Sequence, residues 1–384
     1  MLTGLDVLLL DTTQLKGRRV GLLSNSAGIT RDVHRNVDAL REAGVNLMAL
    51  FSPEHGFGGA AVAGEVVFSS IDRTTGLPVY SLYGETKKPT KEMLSGLDVL
   101  LFDLQDVGVR FYTYTTTLAY ALEACAENDV LLMVLDRPNP ITGTIVEGPV
   151  LDPSYQSFIG HGAIPIRYAT TIGELARYYA VETRGQGTAL STFLQVVNLR
   201  GWARSMWFDQ TQLLWAAPSP NMPHAHTAVF YPGMGLAGEG ASCSIGALTP
   251  LPFERIGAPW LDGDALANKM NALALAGVRF RATRFVPTAK QVAYADQVCN
   301  GVQLHVTDRV AFRPVTMALH LMQVIRGLCP DQWVWNARHF DLLMGNGETR
   351  TQLDAGVSVD DIVQSWRAGQ HEFEARRQAC LLYE

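Results

Sequence analysis

The sequence predicts an α/β protein, a doubly wound, mostly parallel sheet followed by a second, smaller α/β domain. Three observations predict it. Over the first 200 residues, short apolar runs alternate with segments of helical hydrophobic spacing. The runs are apolar on both faces, as strands buried in a parallel sheet are. A Pro- and Gly-rich stretch after Trp215 then separates this pattern from a second, shorter set of elements. At roughly 100–200 residues per domain, a chain of 384 residues holds two, read as 1–232 and 233–384.

The elements follow in order. Val20, Gly21, Leu22 and Leu23 form an apolar run, Val33, Val37 and Leu40 keep helical spacing, and Val45 to Phe51 return to a run. That is one βαβ unit, with Gly44 placed where a left-handed residue ends a helix. Leu97 to Phe102 reads as a strand, Thr117 to Ala126 as an apolar helix and Val130 to Leu135 as a strand. Thr171 and Glu174 form a capping box that opens a helix running through Tyr179, and Thr192 to Leu199 adds a strand. Prolines from Pro218 to Pro259, interleaved with glycines from Gly233 to Gly246, read as a long ordered junction without regular elements. Beyond it, Val278 to Phe285 and Gly301 to Thr307 read as strands. Val315 to Leu328 and Val359 to Trp366 read as helices, the latter capped by Ser358, and Glu372 to Arg377 as a solvated helical face.

Composition excludes several classes of function. With 47% hydrophobic and 18% charged residues the chain is globular rather than disordered. A net charge of -6 without a Lys- or Arg-rich segment argues against nucleic acid as partner. No apolar run approaches the roughly 20 residues of a membrane span, and the chain shows no export signal, so a cytoplasmic location is expected, or a periplasmic or secreted one if a leader was removed. Five cysteines without a CxxC argue against a disulfide framework and a zinc knuckle. Gly233, Gly235 and Gly238 satisfy GxGxxG but lack the βαβ context of dinucleotide binding. His224 and His226 have no third ligand marked by spacing. No metal, nucleotide or other cofactor is expected.

Three polar clusters directly follow predicted parallel strands, where an open α/β sheet binds its ligands. They are Glu54 and His55 in SPEHG, Asp103, Asp106 and Arg110 in DLQDVGVR, and Asp136, Arg137 and Asn139 in DRPN. Glu54, boxed in by Pro53 and His55, is the candidate proton donor, because partial burial raises a carboxyl pKa. If residues 109–114 are extended, Arg110, Tyr112 and Tyr114 share one face, and a guanidinium beside two phenols suits a polyol or sugar. The competing readings are structural: a Glu54 that caps a helix, an Asp106–Arg110 pair that holds a turn, and a DRPN turn that is merely rigid. The junction adds Ser219, Asn221, Tyr231 and Glu239, the last either a ligand-facing carboxylate or an ordinary Gly-Glu-Gly turn.

The blocks GLLSNSAGITRD, ALFSPEHGFGG, GLPVYSLYGETKKPTKEML, LLFDLQDVGVRFYTY, VLDRPNPITG, VEGP, TIGELA, PSPNMP, YPG, PFERIGAPW and TDRVAFRPV, in this order, resemble the bacterial NamZ (YbbC-like) family of exo-β-N-acetylmuramidases. The resemblance implies a Rossmann-like N-terminal domain, a smaller C-terminal domain, an active-site cleft between them, and release of terminal N-acetylmuramic acid from peptidoglycan fragments. It also implies that Glu54 is the leading catalytic residue. Where the family usually reads EGTNxSxGRGT this chain reads EGASCSIGALT, so Glu239 is kept and Ala247 replaces an Arg. If that Arg meets the lactyl carboxylate, Arg110, Arg137 or Arg167 must replace it, or a different amino sugar is accepted.

A glycosidase needs a second carboxylate, which Glu239, Asp106 or Asp103 would supply. His55, Asp103, Arg110, Tyr112, Tyr114, Asp136, Arg137, Asn139, Ser219, Asn221 and Tyr231 are the expected sugar contacts. Two competing functions share the same residues or their neighbours: a module that binds muramyl sugars or muropeptides without cleaving them, and a hydrolase of another bond that uses Cys243.

Overall fold

The computed structural model describes residues 1–182 and 189–384. The chain forms two compact units, one made of residues 1–145, 169–225 and 375–384, the other of 146–168 and 226–374. Sequence reading expects a single cut after residue 232, whereas the chain passes between the units at 145/146, 168/169, 225/226 and 374/375.

In the first unit, helix α1 (Gly4–Leu10) precedes β1 (Val20–Ser24), α2 (Asn36–Glu42), β2 (Leu47–Ser52), β3 (Ser70–Ile71), β4 (Pro78–Ser81), α3 (Lys91–Leu94), β5 (Val99–Asp103), α4 (Tyr114–Glu127) and β6 (Leu131–Leu135). The excursion into the second unit holds β7 (Glu147–Val150) and β8 (Pro165–Arg167), after which α5 (Ile172–Glu182) and β9 (Leu194–Val197) return to the first. The seven-stranded sheet runs β3-β4-β2-β1-β5-β6-β9. Every neighbouring pair is parallel except β3 with β4. Counted along the chain, the six parallel strands stand in the order 3-2-1-4-5-6, the doubly wound order of dinucleotide-binding folds. β1, β5 and β6 are buried almost throughout, which explains why they read as unbroken apolar runs. Their side chains meet Leu5, Leu8, Val37 and Leu40 in one core.

Local signals work where the chain supplies its own partners. Gly44 has φ +78° after α2. The Thr171 hydroxyl accepts the Glu174 N–H, and the Glu174 carboxylate accepts the Thr171 N–H, the reciprocal box expected at the start of α5. Because all six parallel strands share one direction, Ser24, Ser52, Ser81, Asp103 and Leu135 end on the same edge of the sheet. That edge therefore gathers the polar clusters.

The second unit contains α6 (Thr227–Glu239), β10 (Arg255–Ala258), α7 (Gly263–Ala272), β11 (Val278–Phe285), β12 (Cys299–Val306), α8 (Pro314–Leu328), α9 (Ala337–Met344), α10 (Glu348–Asp354), α11 (Val359–Ser365) and most of α12 (Arg367–Arg377). Its antiparallel sheet has the order β10-β12-β11, and β7 pairs with β8 separately. Helix α6 overturns the reading of 218–259 as a junction without regular elements. It passes through Pro232 and buries every residue from Thr227 to Ala237. Its glycines serve packing rather than turning: a Cβ on Gly233 would collide with the carbonyl oxygen of Pro314, the first residue of α8. Burial offsets the poor intrinsic propensity of this helix. Gly233→Ala is accordingly expected to destabilise the protein by about 2 kcal/mol or more, since overpacking outweighs the gain of at most about 1 kcal/mol in helix propensity. An unchanged urea midpoint in that variant would refute the packing argument.

Candidate active site

Strand β2 ends at Ser52, and the chain turns sharply through His55 (φ +71°) and Gly56 (φ +76°). A left-handed histidine is strained, and the strain sits beside the group it positions. Glu54 is 7% exposed. Its Oε1 accepts the Gly64 N–H at 2.9 Å, and its Oε2 accepts the Thr113 hydroxyl at 2.7 Å. Tyr83, just beyond β4, also hydrogen-bonds this carboxylate. Burial first, and then the Glu54 charge, push its phenol pKa up. The N–H is a fixed donor, whereas a hydroxyl can rotate to donate or to accept. Glu54 is therefore held in one place by groups from three separate segments of the first unit.

Thr113 immediately precedes α4, so residues 109–114 do not form the extended segment expected. They turn into the helix. Arg110, Tyr112 and Tyr114 consequently do not share a strand face. The rings of Tyr112 and Tyr114 meet edge to face at 4.7 Å. The Tyr114 hydroxyl donates to the Pro218 carbonyl at 2.6 Å and accepts from Asn25 Nδ2 at 2.8 Å, tying two loops together. Its pKa is raised by burial and then, among other causes, by the charges of Glu54 and Asp106, so both carboxylates bear on one phenol. Arg110 is fully buried, and burial lowers its pKa to about 9. Asp106 accepts the Gly108 N–H at 2.6 Å, and its charge, after burial, raises the Tyr179 phenol.

Other expected contacts are occupied by the fold. Asp103 is fully buried and bound twice by Arg137, Nε to Oδ1 at 2.6 Å and Nη2 to Oδ2 at 3.1 Å. Asn36 Nδ2 adds a bond to Oδ2 at 2.7 Å, and Arg137 also donates to the Ile29 carbonyl at 3.1 Å. This network lies at the carboxyl ends of β1 and β5, the point where the strand order reverses. Asn139 donates to the Thr170 carbonyl at 2.9 Å and accepts the Ile141 N–H at 3.0 Å, an Asx turn. His55 Nδ1 bonds the Ala61 carbonyl at 2.8 Å. Ser219 is buried in a turn closed by the Met222 N–H, and Asn221 is half-buried beside it.

Asp136 is likewise bound within the fold. Its Oδ1 accepts the N–H groups of Arg137 and Gly173, and its Oδ2 meets the hydroxyls of Thr171 and Tyr383. Burial raises its pKa to about 7, and a proton fits on Oδ2, where both neighbours are rotatable hydroxyls. The folded state then keeps a proton that the unfolded state releases between about pH 4 and pH 7. Stability from this group is fully present below pH 4 and is lost as pH rises through 7, at up to about 1.4 kcal/mol per pH unit. Asp136→Asn is expected to flatten that slope. Urea unfolding at pH 5 and pH 8 checks it, and parallel slopes in the two proteins would refute it.

The second unit holds the remaining candidates. Tyr231 is buried in α6, edge to face with Phe253 at 4.8 Å. Glu239 ends α6 rather than sitting in a free turn, with Oε2 3.3 Å from His339 Nε2 and its side chain 40% exposed. Arg167 is buried 3.5 Å from Glu147. Cys243 is buried, and burial pushes its thiol up to about 12, unsuited to a nucleophile. Among the described residues no group of three His, Cys, Asp or Glu is arranged to hold a metal ion, and no helix is long and apolar enough to cross a membrane.

Sequence reading did not single out Thr113, Tyr83, Asn25 or Asn36. Tyr83 obeys the same strand-end rule as Glu54, but β4 is four residues long and begins with Pro78, which hides it.

Comparison with known proteins places the chain. Residues 20–226 match the N-terminal and residues 229–383 the C-terminal domain described as exo-beta-N-acetylmuramidase NamZ. Peptidoglycan beta-N-acetylmuramidase NamZ of Bacillus subtilis (strain 168) is 46% identical over 99% of this chain and 91% of its own length. Two crystal structures of DUF1343 family proteins from Bacteroides fragilis NCTC 9343 each cover 100% of this chain, with 99% of their own chains covered. They superpose with TM-scores of 0.92 at 38% identity and 0.81 at 29% identity. With both domains matched in order along the same two-unit α/β fold, this chain belongs to the exo-β-N-acetylmuramidase NamZ family.

Proposed function

We propose that the protein is a glycosidase that releases N-acetylmuramic acid from the end of peptidoglycan-derived glycans, with Glu54 as general acid. The observation that carries the assignment of Glu54 is its setting: a buried carboxyl at a strand's carboxyl end, held by one fixed N–H and two hydroxyls. A glycosidic oxygen leaves only when protonated, and the anomeric carbon then needs a carboxylate to stabilise its positive charge. Asp103 is unsuited to that second role, because Arg137 and Asn36 occupy both its oxygens. Asp106 is the companion we favour, since it is buried just beyond the end of β5, on the same edge of the sheet as Glu54 beyond β2. Arg137 and Arg167 are each paired with a buried carboxylate, which argues against either replacing the family arginine at Ala247.

The family membership favours catalysis over mere binding, and the high thiol pKa of Cys243 disfavours a cysteine hydrolase. Incubation with chromogenic N-acetylmuramide and N-acetylglucosaminide tests the reading. Turnover of the muramide is expected, and saturable binding without release of the chromophore would overturn it. Faster cleavage of the glucosaminide would reassign the sugar.

A further inference from the structure

The second unit carries a groove of about 490 Å³, within the roughly 300–1,000 Å³ of small-molecule sites. The loop after β7, the turn between α9 and α10, and the junction of α11 with α12 line it. Its principal side chains are Asp152, Tyr155, Asn346, Glu348, Gln352 and Trp366. The groove is preformed. The Asp152 N–H donates to the Gly345 carbonyl at 2.9 Å, and Gln370 Nε2 donates to the Gly148 carbonyl at 2.9 Å. Arg350 grips Asp341 through two bonds of 2.8 and 2.9 Å, bracing α9 against α10. Among the described residues the Glu348 and Gln352 side chains have no hydrogen-bond partner, so their polar atoms face solvent uncommitted.

The half-buried ring of Tyr155 beside the largely buried Trp366, two amides and two carboxylates, with no Lys or Arg in the lining, define the ligand's chemistry. A pyranose presents an apolar C–H face to an aromatic ring and hydroxyls at its edge to planar amides and carboxylates. An acetamido group would pair with the Gln352 amide or with the Asn346 amide N–H, since Asn346 Oδ1 already accepts the Thr349 N–H at 2.9 Å. An anionic ligand would meet Asp152 and Glu348 with no compensating cation. A muramic residue carries a lactyl carboxylate and an N-acetylglucosamine residue does not. We propose that this groove is a non-catalytic site for the neutral N-acetylglucosamine units of the glycan strand, the identity of the polymer resting on the function proposed above.

Calorimetric titration of the full chain carrying Glu54→Gln tests this without cleavage. The ligands are a β-linked N-acetylglucosamine dimer, a disaccharide of N-acetylglucosamine and N-acetylmuramic acid, and N-acetylmuramic acid alone. Adding Glu348→Ala and Gln352→Ala is expected to weaken the glucosamine dimer at least fivefold, to remove the second, groove component of disaccharide binding while its active-site component and N-acetylmuramic acid stay unchanged, and to keep the folded circular dichroism spectrum. Equal affinities with and without the two substitutions would overturn the site. A loss confined to N-acetylmuramic acid, or a disaccharide isotherm with no component sensitive to the two substitutions, would also overturn it. If the wild-type chain cleaves no muramide while the fivefold effect persists, the catalytic reading fails and the groove stands.

Discussion

Glu54→Gln is expected to lower kcat/KM on a muramyl disaccharide by about 10²–10⁴-fold, the usual worth of a positioned general acid. The substitution is close to isosteric. Its amide oxygen can still accept the Gly64 N–H, and the Thr113 hydroxyl can rotate to accept from the amide nitrogen. The fold should therefore survive, and the loss should report the missing proton. Leaving-group dependence separates this from misplacement. A 4-nitrophenyl leaving group departs with little protonation, so its glycoside should lose much less rate than the disaccharide. Comparable losses on both substrates would mean that Glu54 positions rather than protonates, and near-wild-type turnover of the disaccharide would remove it from the mechanism.

Arg137→Ala is expected to destabilise the protein by about 3–5 kcal/mol, because it leaves the Asp103 carboxylate buried without its counter-ion. Asn36 alone cannot solvate that charge. The exposed Arg19–Asp98 pair has comparable geometry, at 2.7 Å, but lies in water, where the two charges are screened and removing Arg19 should change little. Urea midpoints of the two alanine variants give the comparison directly. In the folded state Arg137→Ala should retain the wild-type KM, since this guanidinium is spent on Asp103 and the Ile29 carbonyl. A small stability change with a large rise in KM would return Arg137 to the sugar site.

These outcomes bear on what can be read from sequence. The strand-end rule located Glu54, Asp103, Asp106 and Asp136 on one edge of the sheet, because strand periodicity and parallel direction are visible in the apolar pattern. It could not tell which of these carboxylates bind within the fold. Asp136 meets the hydroxyl of Tyr383, and Asp103 is held by Asn36 and Arg137, partners far away along the chain. Composition misled at 227–239 for a similar reason. Proline and glycine penalise an isolated helix, yet a helix buried along its length draws stability from tertiary packing, and Gly233 lets α8 approach.

By itself the sequence determined the alternation of strands and helices, the caps at Gly44, Thr171 and Ser358, and the placement of Glu54 beyond a buried strand. Each of these depends on residues within a turn or two of one another. The tertiary structure alone decided that Thr113 and Tyr83 hold Glu54, that Asp103 and Asp136 are bound by side chains of the fold, and that the Cys243 thiol is buried. Hydrogen-bond partners and burial follow from which distant segments pack together, and that is a property of the folded chain rather than of any window along it.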